Sequence, residues 1–526
     1  MKTFKAGQLA FFVVKIEYYF YLCALIVFVI INVKFLTKNF QMKKNLFLFA
    51  ILCLFIVSCK NNDEVDSPEM YKYVNEWFHD NMTAVYYWNT ELPYFKSSTD
   101  KPSVYFKSLM NKEDRFSAIF ESYEKIKNEL NGVIASEVGF EFKLFREADS
   151  NENVVALVLY TKPSTPARTL GIKRGDIIRR INNQQMTMTN YRTVIASLSD
   201  VTPSVSITFS DYSNNIFTDK TPVVVNKVNG YNENPVFLDT VYTFQTKKIG
   251  YLVYNFFTND PGDKTMKYDL ELNAAIGQFK QQNITDLVVD LRYNHGGMVS
   301  SAINFASMLV PNLTTNKVFS YTEYNRNYTD YFNSSSFKSN YPNENPFSDN
   351  FATTIDLPSP KTDKFPVQNI GNSLQRIYFL TGDGTASASE MVINGLKPFL
   401  PCILVGDTTV GKNVGSTLIN DEKNTKNQWA FMPIVLRYFN KDRQSDFTKG
   451  FVPNYYIEDD FKHQLGDINE GLLAKAISQI TGVAQAYAAK APIVHQSWKQ
   501  ALPYKAEHHF LIVKNKATDL YINRTK

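Results

Sequence analysis

The chain has 526 residues, of which 44% are hydrophobic, 14% aromatic and 20% charged. That is enough apolar material for several domains with large cores, and it excludes an intrinsically disordered chain. The formal net charge of +5 does not indicate nucleic acid, because residues 1–58 carry seven lysines and one glutamate and the remainder is left at −1; no basic patch interleaved with aromatics argues for it either.

Residues 1–58 hold two apolar runs, Tyr18–Val33 and Leu46–Val57, with Met42-Lys43-Lys44 between them. From Met42 the order is a basic start, twelve apolar residues and Ile56-Val57-Ser58-Cys59, the pattern of a secretory signal at 42–58. The last four residues resemble the bacterial lipoprotein cleavage box, which implies that Cys59 is lipidated and becomes the new N-terminus. The polar stretch from Lys60 to Glu64, within a tether at 59–66, is similar to that of some surface-directed Bacteroidetes lipoproteins. Residues 1–41 are then an upstream extension ahead of a start at Met42, or a short transmembrane segment of about 16 apolar residues. Cys23, Cys53 and Cys59 are thus accounted for, and Cys402 alone remains, so no disulfide is expected in the mature chain. The six histidines show no ligand spacing, and no metal or other cofactor is expected.

Asp66–Asn131 reads as amphipathic helix rich in aromatics and broken at Asn89-Thr-Glu-Leu-Pro93, a small helical N-terminal domain at 67–130. Next come a strand from Glu137 to Leu144 and another at Val154–Tyr160. After them the chain reads Pro166-Ala-Arg-Thr-Leu-Gly171-Ile-Lys-Arg-Gly175-Asp-Ile-Ile-Arg-Arg-Ile-Asn182, a short helix closing on Gly171 and a strand opening after Asp176. This resembles a bacterial PDZ domain, at 131–215. The resemblance puts the family's peptide-carboxylate loop on Val138, Gly139 and Phe140, beside a strand edge that would take a peptide by β-augmentation.

Residues 216–485 alternate strands and helices. Lys248–Tyr254 is a strand, Tyr268–Gln282 a helix, and Asp286–Arg292 a buried strand. That strand runs into Tyr293-Asn-His-Gly296-Gly297 and a helix at Met298–Val310. Thr314–Pro366 is a long polar insert with no clear period, read as a lid or a surface loop. Ile377–Leu380 is a strand entering Gly382-Asp-Gly384, followed by Thr385-Ala-Ser-Ala-Ser-Glu390 and a helix. Cys402–Val405 leads to a loop ending in Gly411-Lys412. A serine at the start of a helix has an exposed Oγ beside free backbone N–H groups that can hold an oxyanion, but it needs a neighbouring base. Ser387 and Ser389 are the candidates. A lysine can be that base only when neutral, which at pH 7 requires burial to lower its pKa by about 3 units. Lys412, flanked by Val410 and Val414, is placed for it. Gly406-Asp-Thr-Thr-Val-Gly411-Lys412-Asn413 also approaches a phosphate-binding loop. Asn413 stands where the magnesium hydroxyl belongs, however, and no helix follows, so nucleotide binding is excluded.

The combination T-A-S-A-S-E with a lysine 25 residues after the central serine resembles the C-terminal processing proteases, the S41 serine peptidases, and the likeness extends over roughly residues 67–485. It implies a mixed α/β fold, with a ClpP/crotonase-like catalytic core, a PDZ domain and a small helical N-terminal domain. It assigns Ser387 as nucleophile, Lys412 as base, Glu390 as a supporting group and the N–H of Ala388 as half of an oxyanion hole. The second half falls in the family's D-L-R-x-N-x-G-G, on Gly296 or Gly297. Thr385 replaces the family's first serine. His295, within that motif, raises a Ser-His alternative. Gly450-Phe-Val-Pro-Asn454 is similar to the family's segment beside the active site. The implied activity is endopeptidase cleavage of unfolded or C-terminally exposed protein at the cell envelope, with a lipid anchor in the membrane. The alternative is a non-catalytic, surface-tethered peptide-binding lipoprotein on the same fold. A helix at Leu472–Ile480 closes the domain, and the tail at 486–526 has weak periodicity and no assigned role.

Overall fold

Two apolar runs, Asp286–Asp290 and Ile377–Thr381, are buried at every residue and form the centre of a six-stranded sheet. Continuous burial on both faces is why their interiors, Leu287–Val289 and Ile377–Leu380, are apolar without alternation. The computed structural model describes residues 67–147, 150, 152–214 and 216–483, with the strand backbones 499–500 and 511–512. The signal segment, Cys59, the tether and most of the 486–526 tail lie outside the described residues. In the sheet the order is Val236–Phe244, Lys247–Tyr254, Asp286–Asp290, Ile377–Thr381, Cys402–Gly406, Tyr455–Tyr456. The first pair is antiparallel and all later pairs are parallel. Helix Gly471–Thr481 lays Leu472, Leu473, Ala476 and Ile477 against Ile249, Val288, Leu380 and Val405. Helices Val299–Leu309 and Ala388–Leu396 pack on one another.

A parallel sheet collects its loops at the carboxyl ends of the strands, where α/β folds place their sites. Three consecutive strands deliver one candidate group each. Asp286–Asp290 leads to Gly296-Gly297, Ile377–Thr381 to Ser387, and Cys402–Gly406 to Lys412.

A second six-stranded sheet runs Gly297–Met298, Leu511–Ile512, Val414–Ser416, Ile434–Asn440, Val318–Tyr324, Ser348–Asn350. Part of it comes from the insert expected as an irregular polar loop. Residues 314–366 instead form strand Val318–Tyr324, helices Arg326–Asn333 and Ser335–Asn340, and three short strands. Tyr324, Tyr328 and Phe332 recur every four residues and stack in sequence, with Phe337 against them. Tyr328 and Phe332, one turn apart on their helix, carry a helical period that the surrounding Asn and Ser obscured.

The region from 133 to 226 has its own core, built from Phe140, Leu144, Val154, Ala156, Ile178, Ile207 and neighbours. Its sheet orders Phe140–Arg146, Val154–Thr161, Ile177–Ile181, Ser204–Ser213 and Ile216–Asp219. The expected helix closing on Gly171 is Pro166–Thr169, and the strand after Asp176 is Ile177–Ile181. The strand expected from Glu137 to Leu144 is two strands. Val133–Glu137 pairs with Val228–Asn232, the chain turns at Gly139, and a new strand starts at Phe140.

The N-terminal helices Pro68–Val85 and Pro102–Leu109 dock through Trp77, Phe78 and Phe106 onto Phe431. Strand Ala118–Phe120 pairs antiparallel with Ala430–Met432. This segment is therefore woven into the region that bears the candidate groups, and that weaving brings it to the site.

Candidate active site

Ser387 precedes helix Ala388–Leu396 with φ 63° and ψ −113°, a backbone conformation that non-glycine residues rarely take. Such strain, about 1–3 kcal/mol, persists only where surrounding contacts hold it. Here Glu390 holds it. Its Oε2 accepts the N–H of Ser387 at 2.9 Å and that of Lys412 at 2.8 Å; its Oε1 accepts the N–H of Gly411 at 2.7 Å and the hydroxyl of Thr409 at 2.5 Å. One fully buried carboxylate thus fixes the backbones of the candidate nucleophile and base to a common point. Burial pushes the Glu390 carboxyl up, while the four donors pull it down. Glu390 is a positioning residue.

The Ser387 hydroxyl oxygen is buried and has no hydrogen-bond partner among the described residues. Buried polar atoms are rarely left unpaired, and a catalytic role is one of the explanations for an exception. Ser389 is occupied differently, with its hydroxyl donating to the Asn294 carbonyl at 3.1 Å. Thr385, in place of the family's serine, donates to the Leu291 carbonyl at 2.8 Å and so pins the turn to the neighbouring strand end.

Lys412 is 1% exposed. Burial pushes its ammonium down to about 7, against weaker opposing pulls from Asp114 and Glu390. At pH 7 about half of such lysines are neutral, where an ordinary lysine is neutral about once in a few thousand. The walls that bury it come partly from the N-terminal segment. The Phe116 ring lies 5.3 Å from Lys412 Nζ. Arg115 donates to the carbonyls of Thr448 at 2.9 Å and Val410 at 3.2 Å, clamping the lysine loop. Asp114 accepts Tyr86 Oη at 2.7 Å and the N–H groups of Phe116 and Ser117. Nothing in the local sequence at 114–116 marks these three residues. Gly411, at φ 88°, passes so close to Thr448 that a Cβ there would sit 2.4 Å from its carbonyl oxygen. After Asn413 the chain continues as strand Val414–Ser416, not as a phosphate-binding helix.

This buried lysine has a measurable cost. Between pH 7 and 10.5 the unfolded chain holds the proton and the folded chain does not, so stability rises with pH across that window. Below pH 7 the folded chain carries the full charge. Lys412→Met should therefore raise stability by up to about 4 kcal/mol at pH 7, with the gain shrinking towards pH 10. Urea midpoints of the two proteins at pH 6, 7 and 9 measure it.

The oxyanion alternatives separate. The Gly296 N–H is already committed to Asn294 Oδ1 at 2.8 Å. Gly297 has φ 143°, and a Cβ on it would come within 1.9 Å of the Phe257 carbonyl oxygen, so only glycine fits. Gly297, with Ala388 at the first turn of its helix, is the better candidate. His295 is exposed, and its Nδ1 lies 2.8 Å from the Gly384 carbonyl and not on Ser387. Gly450–Asn454 supports the site from behind. Phe451 N–H donates to Thr409 Oγ1 at 2.7 Å, the same hydroxyl that donates to Glu390, and Asn454 Oδ1 accepts the Leu404 N–H at 2.8 Å.

Val138, Gly139 and Phe140 do not present a free carboxylate cradle. Val138 and Phe140 are core residues. The Gly139 N–H donates to Glu137 Oε1 at 2.6 Å, and its carbonyl accepts Lys162 N–H. Glu137 also takes the Lys162 ammonium at 2.6 Å, a buried lysine shared with Glu141 and Glu233. An internal carboxylate thus sits where a ligand's terminus was expected to bind Gly139.

Residues 248–457 match the model of peptidase family S41, and residues 73–118 match the peptidase S41 N-terminal domain. The chain carries both, and the second includes Asp114, Arg115 and Phe116. It is similar to a Staphylococcus aureus (strain bovine RF122 / ET3-1) protein described as a CtpA-like serine protease, at 23% identity over 381 residues. That alignment takes in 69% of this chain and 62% of the relative, so the chain spans under two thirds of that protein's length. Among solved structures, a Bacteroides fragilis NCTC 9343 protein assigned to the S41 proteases superposes with a TM-score of 0.60 at 22% identity, over 78% of this chain and 98% of that one. This likeness establishes the mixed α/β fold. The photosystem II D1 C-terminal processing protease aligns with a TM-score of 0.42 at 16% identity, over 74% of this chain and 93% of that one.

Proposed function

We propose that this chain is a serine endopeptidase working through a Ser387–Lys412 dyad on unfolded or C-terminally exposed proteins. The observation that carries the reading is the buried Lys412, pushed down to about 7, whose backbone shares one Glu390 oxygen with that of Ser387. Neutral Lys412 takes the proton from Ser387 Oγ as that oxygen attacks the peptide carbonyl. The N–H groups of Ala388 and Gly297 receive the oxyanion. The lysine then returns its proton to the leaving amine, and the acyl group stays on Ser387. A water, deprotonated by the same lysine, attacks that ester and releases the acid.

The region at 131–215 is proposed as a PDZ domain that presents peptide to this site by its strand edge. The Gly139 N–H would have to leave Glu137 before it could bind a chain terminus. The cleavage-box motif ending at Cys59 supports a lipid-anchored protein of the cell envelope; globomycin-sensitive processing, with mass spectrometry of the mature N-terminus, tests that part.

Casein digestion by the chain from residue 60 onward, beside Ser387→Ala, Lys412→Ala and His295→Ala, tests the activity. The first two variants should lose at least about 10³-fold in kcat/KM, and the histidine variant should stay within about fivefold of the parent. Retained activity in Lys412→Ala with loss in His295→Ala would move the base to His295. An inert parent on every unfolded protein and peptide would leave the binding lipoprotein.

A further inference from the structure

The strand that carries Gly297 and the strand that follows Lys412 do not touch. Between Gly297–Met298 and Val414–Ser416 there is a slot one strand wide, and the chain's own Leu511–Ile512 fills it. The pairing is parallel on both sides, with Gly297 opposite Leu511, Met298 opposite Ile512, and Ser416 opposite Ile512. The tail therefore passes the candidate oxyanion donor in extended form and bridges the two site-bearing strands. A few residues earlier, Lys499–Gln500 pairs antiparallel with Phe145–Arg146, on the outer edge of the 133–226 sheet. That edge is the one a β-augmenting peptide would use. The intervening ten residues, eleven Cα–Cα steps, can span roughly 35–40 Å, so one tail can reach both edges. In sequence the second contact lies in Phe510-Leu-Ile-Val513, an apolar run with high strand propensity flanked by His509 and Lys514.

We propose that the C-terminal tail is an internal ligand of the cleft. Its 511–512 strand occupies the slot that an extended peptide must enter, and its 499–500 strand ties it to the neighbouring peptide edge. The free protein is thus self-occluded, and a substrate gains access by displacing the tail. Because the tail is covalently attached, it competes at an effective concentration in the millimolar range, so weak substrates are excluded and extended apolar segments that pair well with Gly297–Met298 are favoured. The slot as a peptide site stands on pairing alone; its effect on cleavage rests on the Ser387–Lys412 reading.

Leu511→Pro with Ile512→Pro in the full chain tests this. Proline has no N–H and breaks a strand ladder, and the tail follows the last core helix, so the melting temperature should match the parent's. The probe is a fluorescein-labelled peptide of residues 505–518, measured by anisotropy in a Ser387→Ala background so that it stays uncut. The proline variant should bind it at least about tenfold more tightly than the parent does, and in the Ser387 form the KM for casein should fall by a similar factor. Equal peptide affinity and equal KM in both proteins would overturn the proposal while leaving the peptidase reading intact. Tighter peptide binding with no cleavage by any form would uphold the tail's role and defeat the peptidase reading. If the proline pair lowers the melting temperature, Gln500→Pro replaces it, with the same direction expected and the same equality counting against the proposal.

Discussion

Casein cleavage should rise about tenfold from pH 6 to a plateau above pH 8, tracking release of one proton near pH 7. The sign follows from the chemistry. Burial disfavours the ammonium form of Lys412, and only the amine can accept the Ser387 proton. On the proposed Ser387–Lys412 reading, falling pH would therefore silence the site by charging the base, with no change in the serine. Lys412→Arg is the sharp test. Arginine preserves charge and much of the length but does not deprotonate in proteins, so activity should drop at least about 10³-fold at every pH, with no recovery on the alkaline side. Ser387→Ala should fall equally far, and the double variant no further, because the two groups act as one unit. If Lys412→Arg kept more than about a tenth of the parent's rate, the lysine would not be the base. A profile with its midpoint near pH 7 that vanished in His295→Ala would transfer the titration to the histidine.

Arg292→Ala should be the most destabilising single change among the site-supporting residues, costing about 3–5 kcal/mol. The guanidinium is buried and makes paired contacts to two carboxylates. Its Nε and Nη2 reach Asp290 at 3.0 and 2.8 Å, and its Nη1 and Nη2 reach Glu470 at 2.6 and 2.9 Å. Nη1 also lies 2.9 Å from Asp459. Glu470 in turn caps helix Gly471–Thr481 through the Leu473 N–H at 3.0 Å. Alanine would leave three acids facing one another with too few cations, and it would free the turn that carries Gly297. Burial alone would raise the Asp459 carboxyl, yet Arg174 and Arg292 hold it below its ordinary value. Its contribution is therefore present above the unfolded carboxylate range and is lost as acid protonates it. The parent should lose stability on acidification below about pH 4, and that dependence should be weaker in Arg292→Ala. Guanidinium midpoints at pH 4 and 7 measure both effects. An alanine variant within about 1 kcal/mol of the parent would show that solvent reaches this network.

Much of this protein is legible along the chain because the physics there is local. The continuous apolar interiors of Asp286–Asp290 and Ile377–Thr381 state burial on both faces. Ser387 lies between a strand and a helix that its own neighbours specify, and the 25-residue interval to Lys412 is the length needed to finish that helix, return along Cys402–Gly406 and enter the next loop. The carboxylate three residues after the serine is likewise local, since a glutamate there reaches back to the N–H of Ser387.

Most of the missing parts depend on distant segments meeting. The neutral state of Lys412 draws on burial to which Phe116, nearly 300 residues earlier, contributes against the pull of Asp114, and the spacing of a motif says nothing about what will desolvate it. The committed N–H of Gly296 follows from an asparagine side chain that folds back in the turn, so the choice of Gly297 is a matter of three-dimensional geometry. Gly139 reads as an open cradle until Lys162, Glu141 and Glu233 gather around Glu137. The tail has too little periodicity to reveal a strand, because a two-residue strand is defined by the edges it pairs with and not by its own pattern. Local sequence thus determined the candidate groups and the elements that carry them. Tertiary structure decided which groups are buried, which N–H groups are already committed, and which strands the chain's end pairs with. Burial, charge pairing and strand addition are properties of the assembled neighbours, not of any one stretch of chain.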